Sequence, residues 1–173
     1  MCFISHHQKA ATGFAKTLQL LMESELKRRR VQPTKVWLDM CENANEEGMH
    51  DGVLHSAYFI LFMTPEVLHR PWCLKEVQWA LQYCKPIIIV YHIDPQTGGR
   101  AGSFSEFYWK EIQRAFPAEE DRNWLMKNTY IDSHHRGGFD HEMLRRILRQ
   151  MPFASEPESG PHGHSCLNLG EMD

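Results

Sequence analysis

The sequence contains no long apolar run. A membrane-spanning helix needs about eighteen consecutive apolar residues, and the strongest strand-like stretch, Ile87 to Tyr91, is far shorter. The N-terminal Met-Cys-Phe-Ile-Ser-His-His lacks the basic and apolar regions of a secretory leader. Excess charge of one sign is also missing: 19 Lys and Arg stand against 22 Asp and Glu, for a net charge of -3. That balance lacks the basic footprint of a nucleic-acid binder. Cysteine pairing is absent too. The five cysteines (Cys2, Cys41, Cys73, Cys84, Cys166) are odd in number and form no C-x-x-C pair, so they read as reduced thiols. The expectation is a cytoplasmic protein with neither membrane nor nucleic acid as a partner.

Phosphate-loop motifs are missing as well. Neither G-x-x-x-x-G-K-S/T nor G-x-G-x-x-G occurs, and Gly98-Gly99-Arg100-Ala101-Gly102 reads as a flexible loop. Eleven histidines are present, and His6-His7, His134-His135 and His162/His164 invite a metal reading. These clusters lie far apart and lack the close Cys, His or carboxylate spacing of zinc sites. They are read as structural or surface histidines, and no metal is expected.

What is present is a chain of 173 residues, 42% hydrophobic and 24% charged, enough for one globular domain with a core of its own. Strand and helix signals alternate. Cys2–Ser5 is a short apolar strand. Gly13–Arg30 carries Phe14, Leu18, Leu21, Met22 and Leu26 at helical spacing. Lys35–Asp39 reads as a second strand, followed by an acidic loop and a short helix over Gly48–Ser56. Tyr58–Met63 is a continuous apolar run typical of a central parallel strand. Thr64-Pro65-Glu66 suits a helix start, and Pro71 restarts a helix to about Cys84. Pro86–Asp94 holds the strongest strand signal, and Pro95–Ser103 reads as a loop. A helix over Ser105–Phe116, a strand over Asn128–Asp132 and a helix over Phe139–Met151 complete a domain of residues 1–151. Residues 152–173, rich in Pro, Gly, Ser and His, read as a disordered tail. Five strands alternating with helices predict an α/β fold with a parallel sheet covered on both faces. Ligands bind such sheets beyond the carboxyl ends of the strands.

One helix concentrates the chemistry. At about 100° per residue, Cys73, Val77, Ala80 and Cys84 form a core stripe, and Trp72, Glu76, Trp79 and Tyr83 form the adjoining one. Glu76 therefore sits among aromatic rings at the border of the buried face. Burial there opposes its charge, while the helix N-terminus favours it, which makes it a candidate active-site acid. The alternative is a solvent-exposed glutamate paired with Lys75 or with an arginine of another element.

Phe3-Ile4-Ser5, Val36-Trp37-Leu38-Asp39, the acidic loop before Gly48, Thr64-Pro65, Trp72-Cys73-Leu74-Lys75-Glu76 and Lys85-Pro86-Ile87-Ile88-Ile89-Val90 follow one another at spacings that resemble the TIR (Toll and interleukin receptor) domain. The likeness runs from residue 2 to about 150, and the W-C-x-x-E signature is its most specific part. It implies a flavodoxin-like three-layer sandwich around a five-stranded parallel sheet. It also implies one of two activities. Some TIR domains are adaptors that assemble signalling or innate-immune complexes through TIR contacts. Others cleave NAD, as substrate rather than cofactor, to nicotinamide and ADP-ribose or a cyclic variant. Glu76, with Trp72 a turn earlier, resembles the catalytic motif of that NAD nucleosidase branch.

The resemblance further implies that Trp72 stacks near the nicotinamide and that Ser5, His7 and Gln8 contact the dinucleotide. Asp39 would bind a hydroxyl or order its loop, and Glu46 is a weaker candidate. It implies self-association into a homo-oligomer, or contact with other TIR proteins. Two departures stand out. The basic residue expected soon after F-x-S is replaced by His6-His7-Gln8, with Lys9 the nearest full positive charge, and the stretch before Trp-Cys, where Ser is common, carries Arg70. A phospho-accepting Asp39 is a third possibility, but the first strand lacks the acidic pair that would hold magnesium.

Overall fold

The structure, a computed structural model, describes residues 2–30, 35–38, 45–92, 104–127, 130–133 and 141–151. Five parallel strands, β1 (Cys2–His6), β2 (Val36–Leu38), β3 (Tyr58–Met63), β4 (Ile87–His92) and β5 (Tyr130–Ser133), form one sheet in the order β2-β1-β3-β4-β5. The helices are α1 (Gln8–Arg28), α2 (Glu46–Leu54), α3 (Pro71–Gln82), α4 (Phe104–Ala115), α5 (Glu119–Met126) and α6 (His141–Arg149). This is the flavodoxin-like strand order, in which the chain reverses direction across the sheet between β1 and β3.

Strand alternation sorts the core into two layers. Cys2, Ile4, Ile60, Phe62, Ile88 and Val90 face α1 and α6, whose Ala15, Leu18, Met22, Leu144 and Ile147 pack on them. Phe3, Phe59, Leu61, Ile87 and Ile89 face the other way, onto Val53, Val77, Ala80, Tyr108, Ile112 and Leu125. On that second face the rings of Trp37, Phe3 and Phe59 stack across three strands, with centroids 6.4 Å and 5.5 Å apart.

Three differences from the sequence expectations have physical causes. Helix α1 begins at Gln8 rather than Gly13. Its first turns are anchored by Ala11 and Ala15, both buried but too small to mark an apolar face. Thr64-Pro65-Glu66 does not start a helix. The Val67 amide donates to the Thr64 carbonyl at 3.2 Å, and Glu66 takes a left-handed conformation (φ 68°, ψ 5°). This is the geometry of a type II turn with proline at its second position. A single 3₁₀ turn, Val67–His69, follows and buries Val67 and Leu68. Helix α5 has no counterpart in the sequence reading, because its acidic first turn, Glu119-Glu120-Asp121, hides the buried Trp124 and Leu125. Asp39, the loop over 95–103 and the tail over 152–173 lie outside the described residues. Among the described residues, no helix is long and apolar enough to cross a membrane.

Candidate functional site

A cleft of about 350 Å³ opens where β1 passes into α1 and where the turn after β3 passes into α3, lined by His6, His7, Gln8, Lys9, Met49, Arg70, Pro71, Trp72 and Cys73. This is the β1/β3 switch point, where the flanking helices diverge and the carboxyl ends of the strands face open space. Two helix N-termini meet there without side-chain caps. His7 precedes α1 in an extended conformation, and Arg70 precedes α3 with Pro71 in its first turn. Helix starts of this kind favour negative charge nearby, and Lys9 and Arg70 add two cationic side chains to the lining.

Helix α3 is held firmly. Its Cys73 thiol donates to the His6 carbonyl at 3.3 Å, which pins its first turn to the end of β1. On the flank, the His50 ring of α2 lies edge-on to Trp79 at 5.1 Å and hydrogen-bonds the Tyr83 hydroxyl at 2.6 Å. At its far end the Lys85 amide donates to the Ala80 carbonyl at 2.8 Å and the Cys84 amide to Leu81 at 3.0 Å, with Cys84 at φ 51°. That pair of bonds is a Schellman stop with cysteine in the left-handed position usually given to glycine.

Glu76 lies one turn into α3 from Trp72 and Cys73, and its exposure is 0%. The Ser5 hydroxyl, itself buried at the end of β1, donates to Glu76 Oε2 at 2.5 Å. The exposed, lysine-paired alternative is thereby excluded, because Lys75 pairs instead with Glu46. The sequence reading placed Glu76 at the border of the core, whereas it is wholly inside. It does not line the cleft but sits beneath residues that do.

The other expected site residues separate into groups. His7 and Gln8 line the cleft, and Trp72 stands on it at 47% exposure. Ser5 reaches Glu76 but not the cleft wall. Glu46 is absent from the cleft lining; its exposed side chain holds Lys75, whose ammonium lies 5.6 Å and 5.7 Å from the Trp72 and Trp79 ring centres. Lys9, Arg70, Met49 and Cys73 also line the cleft, although none was named as a site residue from the sequence. Lys9 and Arg70 carried a signal, Lys9 as the nearest positive charge after F-x-S and Arg70 as a departure in the stretch before Trp-Cys.

Burial and the adjacent His7 push the imidazole of His6 down to about 4. His7 is also lowered, first by burial, then by Arg70, with Glu66 opposing and Lys9 adding to the effect. The His7 Nδ1 is buried without a hydrogen-bond partner among the described residues. Chemically, this is an electropositive mouth above a fixed, buried carboxylate. Such a site suits a ligand with a negative end and a centre that becomes positive. Among the described residues, no group of three or more His, Cys, Asp or Glu is placed to hold a metal ion.

The strand order defines a flavodoxin-like α/β domain, with an open cleft at its switch point. The family model for the TIR domain matches residues 2–126, and the chain belongs to that family. Among solved structures, it resembles the TIR domains of the activated Roq1 resistosome directly recognizing the pathogen effector XopQ. The TM-score is 0.52 at 17% identity, over 86% of this chain and 96% of that one. No curated protein matches the chain.

Proposed function

We propose that this TIR domain is an NAD nucleosidase that breaks the bond between ribose C1′ and the nicotinamide nitrogen, with Glu76 as its catalytic carboxylate. The supporting observation is the complete burial of Glu76 beneath the cleft, with one oxygen fixed by Ser5. A carboxylate fixed in a water-excluded site beneath a ligand-sized cleft is pre-positioned to stabilise positive charge that develops above it.

The reaction needs only one such group. Nicotinamide in NAD is a pyridinium; it leaves with the electron pair of the C1′–N bond and becomes neutral, so no acid has to protonate it. Positive charge develops on the ribose, as in other glycosyl transfers, and a pre-positioned carboxylate stabilises it. Water then attacks C1′ and loses a proton, giving ADP-ribose; attack by an internal nucleophile of the same dinucleotide gives a cyclic product. Glu76 is closed off in this arrangement, so substrate contact requires the elements above it to shift. Self-association through TIR contacts is the natural drive, and the resistosome assembly of the structural neighbour supports a role in signalling or defence.

The test is NAD consumption by the purified chain at high concentration, with products separated by chromatography. Glu76→Gln keeps the shape and an acceptor for Ser5. It is expected to reduce nicotinamide release by at least about 100-fold while leaving the melting temperature unchanged or raised. Absence of turnover in folded, self-associated protein would overturn the proposal and leave a non-enzymatic adaptor.

A further inference from the structure

The sequence lacks the basic residue expected just after β1 and carries an unexpected arginine before Trp72. In the fold these two departures meet, because residues 7–9 and Arg70 line one cleft. We infer that Arg70, with Lys9, holds the diphosphate of the dinucleotide, so that the start of α3 and the first turn of α1 each supply one positive charge. This inference rests on the NAD reading above and assigns the residue that selects a diphosphate-bearing substrate.

The surroundings fit an anion. Two cationic side chains, Lys9 and Arg70, line the cleft, and the starts of α1 and α3, neither with a side-chain cap, contribute residues to its wall; helix starts favour phosphate oxygens. His7, whose Nδ1 is buried without a hydrogen-bond partner among the described residues, can turn a ring N–H toward a phosphate oxygen. Arginine binds phosphate through two parallel N–H bonds, which a point charge cannot reproduce.

Glu66 sets where the guanidinium waits. Its carboxylate accepts from Arg70 Nη2 at 3.2 Å, across an exposed pair with Arg70 at 45% and Glu66 at 63% exposure. An exposed pair of this kind is weak, so a diphosphate can displace the carboxylate. Glu66 is thus a positioning residue and a competitor. It occupies a left-handed position that glycine would fill without strain.

The test separates this inference from the nucleosidase reading. Steady-state kinetics are measured with NAD and with nicotinamide riboside, which has the same scissile bond and no phosphate. Arg70→Ala is expected to raise KM for NAD roughly tenfold or more at nearly constant kcat, and to leave kcat/KM for nicotinamide riboside unchanged. Arg70→Lys should recover only part of the loss, and Glu66→Gln should lower KM for NAD severalfold. If Glu76→Gln abolishes turnover while Arg70→Ala leaves KM for NAD within twofold, the arginine assignment is wrong and the nucleosidase reading survives. If no variant turns over NAD, calorimetric titration with ADP decides the arginine assignment alone. Binding by the wild type that Arg70→Ala removes sustains a diphosphate site, and absence of binding by the wild type overturns it. Because the Arg70 side chain is half exposed, its replacement should not disturb folding, which unchanged melting curves would verify.

Discussion

His6 is fully buried at the end of β1, and its imidazole titrates at about 4 instead of its ordinary 6.5. The unfolded chain takes up a proton there near pH 6.5, and the folded chain does so only near pH 4. Between those values the unfolded state binds more protons, so stability must fall as pH falls through the window. Full burial makes the loss sizeable, up to about 3 kcal/mol by pH 4. Carboxylates contribute mainly below about pH 5, so the upper half of the window isolates the histidine. Urea unfolding at pH 7.5 and pH 5 should show a clear drop in midpoint for the wild type and a much smaller one for His6→Gln. Equal drops in both proteins would mean that His6 is not the group responsible.

At the scale of elements, the packing of α2 on the sheet depends on one glycine. A Cβ at Gly52 would lie 2.9 Å from Trp37 Cε2 and 3.0 Å from Phe3 Cε2, which belong to the stacked row across β2, β1 and β3. Alanine normally stabilises a helix interior relative to glycine by about 1 kcal/mol. At Gly52 the clash should outweigh that gain and destabilise by about 1–3 kcal/mol. Gly13 in α1 meets nothing within 4 Å, so Gly13→Ala should gain the helix benefit unopposed. Thermal melts of the two variants should therefore move in opposite directions, and a rise for Gly52→Ala would contradict the packing argument.

The same elements indicate what sequence can reveal. Tyr58–Met63 and Ile87–Tyr91 are legible because both faces of a central strand are buried and leave no polar gap. The start of α1 was not, because Ala11 and Ala15 bury without adding apolar bulk. The turn at Glu66 was misread because proline after threonine suits a helix start as well as a type II turn. Glu76 was legible as unusual from its aromatic stripe. Its complete burial was not, because that depends on Ser5, 71 residues away. Arg70 looked like a defect in a motif until the fold set it in one cleft with Lys9.

The whole molecule joins an open cleft to a closed carboxylate. Trp72, His7 and Arg70 line a cleft open to solvent, yet Glu76 has no exposure through which a ligand there could meet it. On the nucleosidase reading proposed above, this arrangement is a resting state, and activity depends on whatever stabilises an opened one. A second copy can do so only if it binds the open form more tightly than the closed one. Dilution then returns the chain to the resting form, so nicotinamide release per chain should rise with total protein concentration. The rise should follow the fraction associated, measured in parallel by sedimentation. Glu76→Gln should associate normally and stay inactive, because the carboxylate acts on substrate rather than on assembly. A specific activity that stays constant with concentration, in a protein that sediments as a monomer, would show that the opening is intrinsic to the single chain.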